Sequence, residues 1–247
     1  MQVEILGTVG YHPTEQRHTT CIALPELGVV FDAGSAMFRL PERLQHDTLD
    51  IFLTHTHLDH VLGLTFFFSI TLKHPLSSIA VHGDAQKLAA VKTHLFAPDI
   101  FPVMPPYVWS PFSKETGEIT IREAKISWFP LEHPGGAWGY RVDYQGRSMA
   151  LITDTTAKPH AAYLSAIQGV DLLLHECNFP DGQERMAAIT GHSCLSPVAQ
   201  IAAAAQVKRL VLIHFDPIQA ITPEMLTNVS SIYAPIELSY DGMKLEF

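Results

Sequence analysis

Four side chains able to bind a metal fall within the stretch THTHLDH: His55, His57, Asp59 and His60. They begin at the end of LDIFLTH, a nearly continuous apolar run of the kind that forms a strand buried on both faces. The four therefore sit just beyond a strand's C-terminal end, where open α/β sheets form crevices. Burying Asp and His without partners is costly, and a metal ion is a partner that compensates them together. His55 and His57 are two positions apart, so in an extended segment they face the same way. Asp59 and His60 come after the chain turns into a helix and point to a second position. One tetrahedral zinc does not need all four; two ions about 3.5–4 Å apart accommodate the set.

Three further candidates share that local context. FPLEHPGG puts His133 just after a strand, ALITDTT puts Asp154 at a strand end, and LVLIHFDP does the same for His214. Each alone reads equally well as a helix cap or a core residue. Together they read as the rest of a ligand set, while a single structural ion remains an alternative at this level.

The elements that must position these residues are legible as periodicity. MQVEILGTV and TTCIALPELGVVFDAG read as opening strands, SSIAVHG, VDLLLHE and VKRLVLIHF as later ones. VLGLTFFFSITLKH reads as a helix with its aromatic face inward. DAQKLAAVKTHLF is a second helix, with Asp84 placed to accept from its first amides. HAAYLSAIQG, the Ala-rich SPVAQIAAAAQ and TPEMLTNVSSIY read as helices too. GEITIREAKISWFPLEH and WGYRVDYQGRSMALITD are strand-rich, the latter turning at Gly146. PDIFPVMPPYVWSPF is either a rigid surface connection or a cleft wall. The order predicts two packed sheets with helices outside both, in one domain spanning 1–247.

Composition narrows the partners. Of 247 residues, 47% are apolar, and 16 Lys and Arg face 25 Asp and Glu, a net charge of -9. No basic run offsets this, which disfavours polyanions. No uncharged apolar run reaches the about 18 residues of a membrane span. The N-terminus has no basic region typical of a leader, and three widely spaced cysteines form no disulfide framework. A cytoplasmic protein is the expectation.

HTHLDH, with His133, Asp154 and His214 behind it, resembles the ligand signature of the metallo-β-lactamase-fold hydrolases. The resemblance covers essentially the whole chain and implies an αββα four-layer sandwich. It implies one metal on His55, His57 and His133, a second on Asp59, His60 and His214, and Asp154 bridging them. Zinc is the default pair of ions; Mn or Fe suits the same N/O donors. LGTVGYHPTEQRHTTC, FDAG around Asp32, LLLHECNF and TGHSCLSPVAQIAAAA are similar to the ribonuclease Z and phosphodiesterase branch. Asn178 and Cys194 depart from the Thr usual there.

That branch implies attack on phosphorus by a metal-bridging hydroxide, with Asp59 assisting the water. His192 would protonate the leaving oxygen, oriented by Glu176. Against this, Ser193 or Ser196 of the GHSCLS stretch could simply cap the Ala-rich helix. His175 reads as structural, Asp216 as a candidate support for His214, and His12 and His18 as possible substrate contacts. Ribonuclease Z enzymes insert a long tRNA-holding arm between His133 and Asp154. Here 21 positions separate the two, filled by the hairpin HPGGAWGYRVDYQGRSM. The expectation is a phosphodiesterase acting on a small phosphodiester such as a cyclic or short nucleotide, with a homodimer a further implication of the branch. Hydrolysis of a carboxylic ester, thioester, lactone or β-lactam is the runner-up. Structured tRNA 3′-processing and a noncatalytic metal-binding protein rank below it.

Overall fold

A computed structural model describes residues 1–247. Its strands, in chain order, begin with β1 (Gln2–Gly7), β2 (Cys21–Leu24), β3 (Val29–Phe31), β4 (Thr48–Phe52), β5 (Ser78–Gly83) and β6 (Val108–Pro111). They continue with β7 (Gly117–Ile121), β8 (Ala124–Leu131), β9 (Ala137–Tyr144), β10 (Arg147–Ile152), β11 (Leu172–Glu176), β12 (Leu210–Ile213), β13 (Ile236–Leu238) and β14 (Met243–Glu246). The helices are α1 (Leu58–Val61), α2 (Phe67–Lys73), α3 (Ala85–Ala90), α4 (Glu184–Thr190), α5 (Leu195–Ala204) and α6 (Pro223–Val229). This is an α/β fold of two mixed sheets flanked by helices, consistent with the four-layer sandwich. No helix is long and apolar enough to cross a membrane.

The chain divides into two compact units. The first takes Met1–Gly7, Tyr11–Lys114 and Asp241–Glu246. Its sheet runs β14-β1-β2-β3-β4-β5-β6, antiparallel as far as β3 and parallel beyond it. Leu49, Ile51, Val81, Leu64 and Ile70 lie in its core. β3 and β4 are parallel neighbours, so Asp32 and the THTHLDH loop leave the sheet at the same edge. That adjacency is what a carboxylate needs to support the loop's histidines.

The second unit takes Thr8–Gly10, Glu115–Tyr240 and Phe247, with sheet order β13-β12-β11-β10-β9-β8-β7. β10, β11, β12 and β13 are parallel, and their apolar runs are fully buried from β10 to β12. Side chains after β10, at the end of β11 and after β12 thus emerge at one edge: Asp154, Glu176 and His214. β9 and β10 close through Gln145 and Gly146, both at positive φ, the turn that a two-residue hairpin favours.

Three elements differ from the periodicity. VLGLTFFFSITLKH is not one helix: a 3₁₀ turn, Leu62–Phe66, precedes α2. The Gly63 amide bonds to the Ala33 carbonyl at 2.6 Å rather than within the helix, and a side chain on Gly63 would strike the Gly34 carbonyl. Core contact therefore goes to Leu64 and Ile70, while Phe68 is exposed. HAAYLSAIQG contains only the short turn Ala162–Ser165. The Pro-rich segment includes the edge strand β6, where proline's missing donor is tolerated. Asp84 caps α3 as expected, accepting from the Gln86 and Lys87 amides.

Candidate metal centre

In the first unit, the loop after β4 gathers three imidazoles. The ring of His55 lies 4.5 Å from that of His57 and 4.1 Å from that of His60, centroid to centroid. Asp59 is adjacent, its Oδ2 3.4 Å from His60 Nε2 and accepting the Tyr11 amide at 2.8 Å. Behind them Asp32 is wholly buried at the end of β3 with φ +58°. Its Oδ2 accepts from His60 Nδ1 at 2.8 Å, and its Oδ1 from the Thr54 amide at 2.8 Å. The Thr54 hydroxyl donates to Asp32 and stands 3.1 Å from His55 Nδ1. One carboxylate thus orients two histidines, His60 directly and His55 through Thr54. In both, Nδ1–H is committed, which leaves Nε2 as the nitrogen that could bind an ion, the arrangement that metal-binding imidazoles use.

In the second unit, Asp154 is buried and presents its oxygens to two different histidines. Oδ2 is 3.8 Å from His133 Nε2, and Oδ1 is 3.2 Å from His214 Nε2. His133 Nδ1 donates to the Gly191 carbonyl at 2.9 Å, which again leaves Nε2 as the nitrogen that could bind an ion. Burial lowers the pKa of His133; Asp154 and the Gly191 bond oppose this without reversing it. A neutral ring is what coordination requires. Gly191 sits at φ +79°, and a Cβ there would lie 2.9 Å from His133 Nδ1. Gly10 is tighter still: a Cβ would come within 2.3 Å of the His214 ring. His214 itself has φ +57°, and Asn178 Nδ2 donates to its carbonyl at 3.1 Å. The departure from Thr at 178 supplies an amide long enough for that bond.

Glu176 is the polar hub of this unit. It is wholly buried and accepts four hydrogen bonds: Thr155 N (2.8 Å) and His192 Nδ1 (3.0 Å) at Oε1, Ser193 N (3.0 Å) and Asn178 N (3.3 Å) at Oε2. His192 is partly exposed and its ring stacks on that of His214, centroids 5.4 Å apart at 27°. Ligand atoms of Asp154, His192 and His214 all lie within 4.8 Å of one another. Ser193 does not cap α5: its hydroxyl donates to the Thr155 carbonyl and accepts the Ala157 amide. Ser196 instead bonds Asp181.

His175 is buried between the Glu176 carbonyl, which accepts its Nδ1–H, and the Tyr163 hydroxyl. Asp216 accepts from the Ile218 and Gln219 amides and makes a turn. His12 is exposed, and His18 bonds Ser35. Periodicity offered no signal for Thr54, Gly10 or Gly191. Their roles come from contacts between segments far apart in sequence.

Each unit therefore carries a His/Asp cluster, and the donor set fits divalent ions: imidazole nitrogens fixed through their far side, with carboxylates between them. The beta-lactamase superfamily domain matches residues 28–215, and the chain belongs to that superfamily. Ribonuclease Z of Cyanothece sp. is 29% identical, the match covering 100% of this chain and 95% of that one. Among solved structures, the metallo-beta-lactamase fold protein YhfI from Bacillus subtilis aligns with a TM-score of 0.80 at 16% identity, over 99% of both chains. A diphosphatase from the PhnP family aligns at 0.75 and 21% identity, over 100% of this chain and 97% of that one. Together, family and clusters indicate a dinuclear metal site and support a metal-dependent hydrolase.

Proposed function

We propose that residues 1–247 form one hydrolase domain that cleaves a small phosphodiester, such as a cyclic or short nucleotide. In this reading His55, His57 and His133 would hold one divalent ion and Asp59, His60 and His214 a second, with Asp154 serving both. Two such ions, when bound, supply Lewis acidity toward phosphoryl oxygens and lower the pKa of water. The protein's own part is proton handling and orientation. Asp59 accepts a proton while remaining a ligand. His192 would hold a proton at Nε2 and pass it to the departing oxygen, with Glu176 occupying Nδ1 and fixing the ring.

The His192–Glu176 pair, beside Asp154 and His214, is the observation that carries the phosphodiester reading. An alkoxide leaving group needs a proton far more than the thiolate that leaves a thioester. Two features support a small substrate over structured tRNA. The hairpin of β9 and β10 occupies the interval between His133 and Asp154 where an arm would be inserted. The match to the cyanobacterial ribonuclease Z runs over 313 positions against a chain of 247 residues, so that relative carries residues this chain lacks. The likeness to a diphosphatase fits the same scale of substrate.

A kinetic panel on one metal-loaded preparation tests this. It compares bis-p-nitrophenyl phosphate, cyclic nucleotides, a lactone, a thioester and a β-lactam. The proposal expects the diesters to have the highest kcat/KM; a clear preference for a carbonyl substrate contradicts it.

A further inference from the structure

The first unit holds an apolar pocket that the metal ligands do not use. Its volume is about 370 Å³, within the range of small-molecule sites. Thr56 and Leu58 contribute to its wall, and these two alternate in sequence with His55, His57 and Asp59. Helix α1 is two-faced. Leu58 and Val61, three apart, line the pocket, while His60 turns to Asp32 and Asp59 to His60.

The opposite wall comes from Ala90 at the end of α3 and from Val91, His94 and Leu95. Those three lie on a π-helical turn, Val91–Leu95, closed by the Phe96 amide on the Val91 carbonyl. Such wide turns are uncommon and recur at functional sites. Ile100 completes the mouth and is largely exposed. No Lys, Arg, Asp or Glu lines the pocket; its polar side chains are Thr56 and His94. The nearby Lys92 lies over the Trp109 ring.

We propose that this pocket binds an uncharged apolar substituent of the substrate, an aryl ring or a short alkyl chain, next to the bond cleaved at the His55–His60 loop. A phosphate has nothing there to neutralise it, so the pocket selects what is attached to the reacting group. The wall residues Thr56 and Leu58 are chain neighbours of His57, so a substituent seated against them lies about one residue from the proposed ligands. His94 supplies the one ring that can stack on or hydrogen-bond to the substituent. The proposal rests on the hydrolase reading for which bond is cut, but the pocket's occupancy can be measured without turnover.

The test has a binding arm and a kinetic arm, on wild type and Ala90→Trp. Position 90 is exposed, so the larger ring can fill the pocket from outside without opening the core. In the binding arm, metal-free protein is titrated with indole and separately with 1-hexanol while the amides of Val91, His94 and Leu95 are followed by NMR. Saturable shifts with one probe or both, abolished in Ala90→Trp, are expected, and the responding probe says whether ring or alkyl chain is preferred. No shift with either probe, shifts unchanged in Ala90→Trp, or the same amides shifting with protein concentration alone, as a second copy would cause, each overturns the proposal. In the kinetic arm, phenyl p-nitrophenyl phosphate should exceed methyl p-nitrophenyl phosphate in kcat/KM by about 10-fold, a modest apolar discrimination. The ratio should fall toward one in Ala90→Trp with the methyl ester unaffected; a ratio that survives the substitution overturns the pocket's role. Binding without turnover of any diester would fault the phosphodiester reading and leave the pocket standing.

Discussion

Glu176→Gln changes one atom of a wholly buried side chain, and the structure says what that costs. The carboxylate accepts from four N–H groups, two on each oxygen. An amide has one accepting oxygen and one NH₂ group, so two of the four donors lose their acceptor and face another donor. With NH₂ at the Oε2 position, the backbone amides of Ser193 and Asn178 are orphaned. With it at the Oε1 position, Thr155 loses its partner and His192 must shed its Nδ1 proton or turn away. Each buried unsatisfied donor costs about 1–3 kcal/mol, so the loss is about 2–6 kcal/mol. At 2–4 °C per kcal/mol for a chain of this size, Tm should fall on the order of 10 °C. Differential scanning calorimetry of the metal-free protein measures it, with Glu118→Gln at an exposed strand position as the control. A Tm within about 2 °C of wild type would refute the hub assignment.

Other expectations follow from single contacts. His192→Ala should lower kcat by about 10²–10⁴ on a poorly activated diester while two ions remain bound; loss of an ion would make His192 a ligand instead of an acid. Asp32→Asn should weaken metal binding about 10–100-fold, because the carboxylate orients His60 directly and His55 through Thr54; isothermal titration with zinc reads this, and unchanged affinity would contradict it. Burial lowers the pKa of His175 below its ordinary 6.5, despite the opposing Glu176 carbonyl and charge. The unfolded chain therefore binds that proton more readily, and the contribution to stability is full above about pH 6.5 and lost as pH falls. Denaturant unfolding of metal-free wild type should consequently weaken more between pH 7 and pH 5 than that of His175→Asn, whereas parallel curves would exclude it.

The candidate ligands were legible as a set because they interrupt apolar strands at their ends, where buried polar groups demand compensation. The parallel order of the central strands then delivers those ends to one edge of each sheet, which explains why Asp32 and Thr54, or Asp154 and His214, meet. Less legible was everything set by approach between remote segments. Gly63 diverts its amide to Ala33 and breaks the helix that the apolar spacing implied. Gly10 leaves room for the His214 ring, a relation that no local window contains. Ser193 looked able to cap α5, yet its hydroxyl ties Thr155 to Ala157 and so braces the segment after Asp154. Asp216 follows His214 closely enough to suggest support, and one of its oxygens accepts two amides of a local turn, which the sequence did not announce.

The most direct test of the account is how many ions the chain holds and whether Asp154 serves both. Native mass spectrometry of protein titrated with zinc or manganese, without chelator, should show two ions per chain. In Asp154→Ala both should bind more weakly if, as proposed, one carboxylate lends an oxygen to each position. A wild-type chain that saturates at a single ion, or an Asp154→Ala chain that keeps two with unchanged affinity, would contradict it.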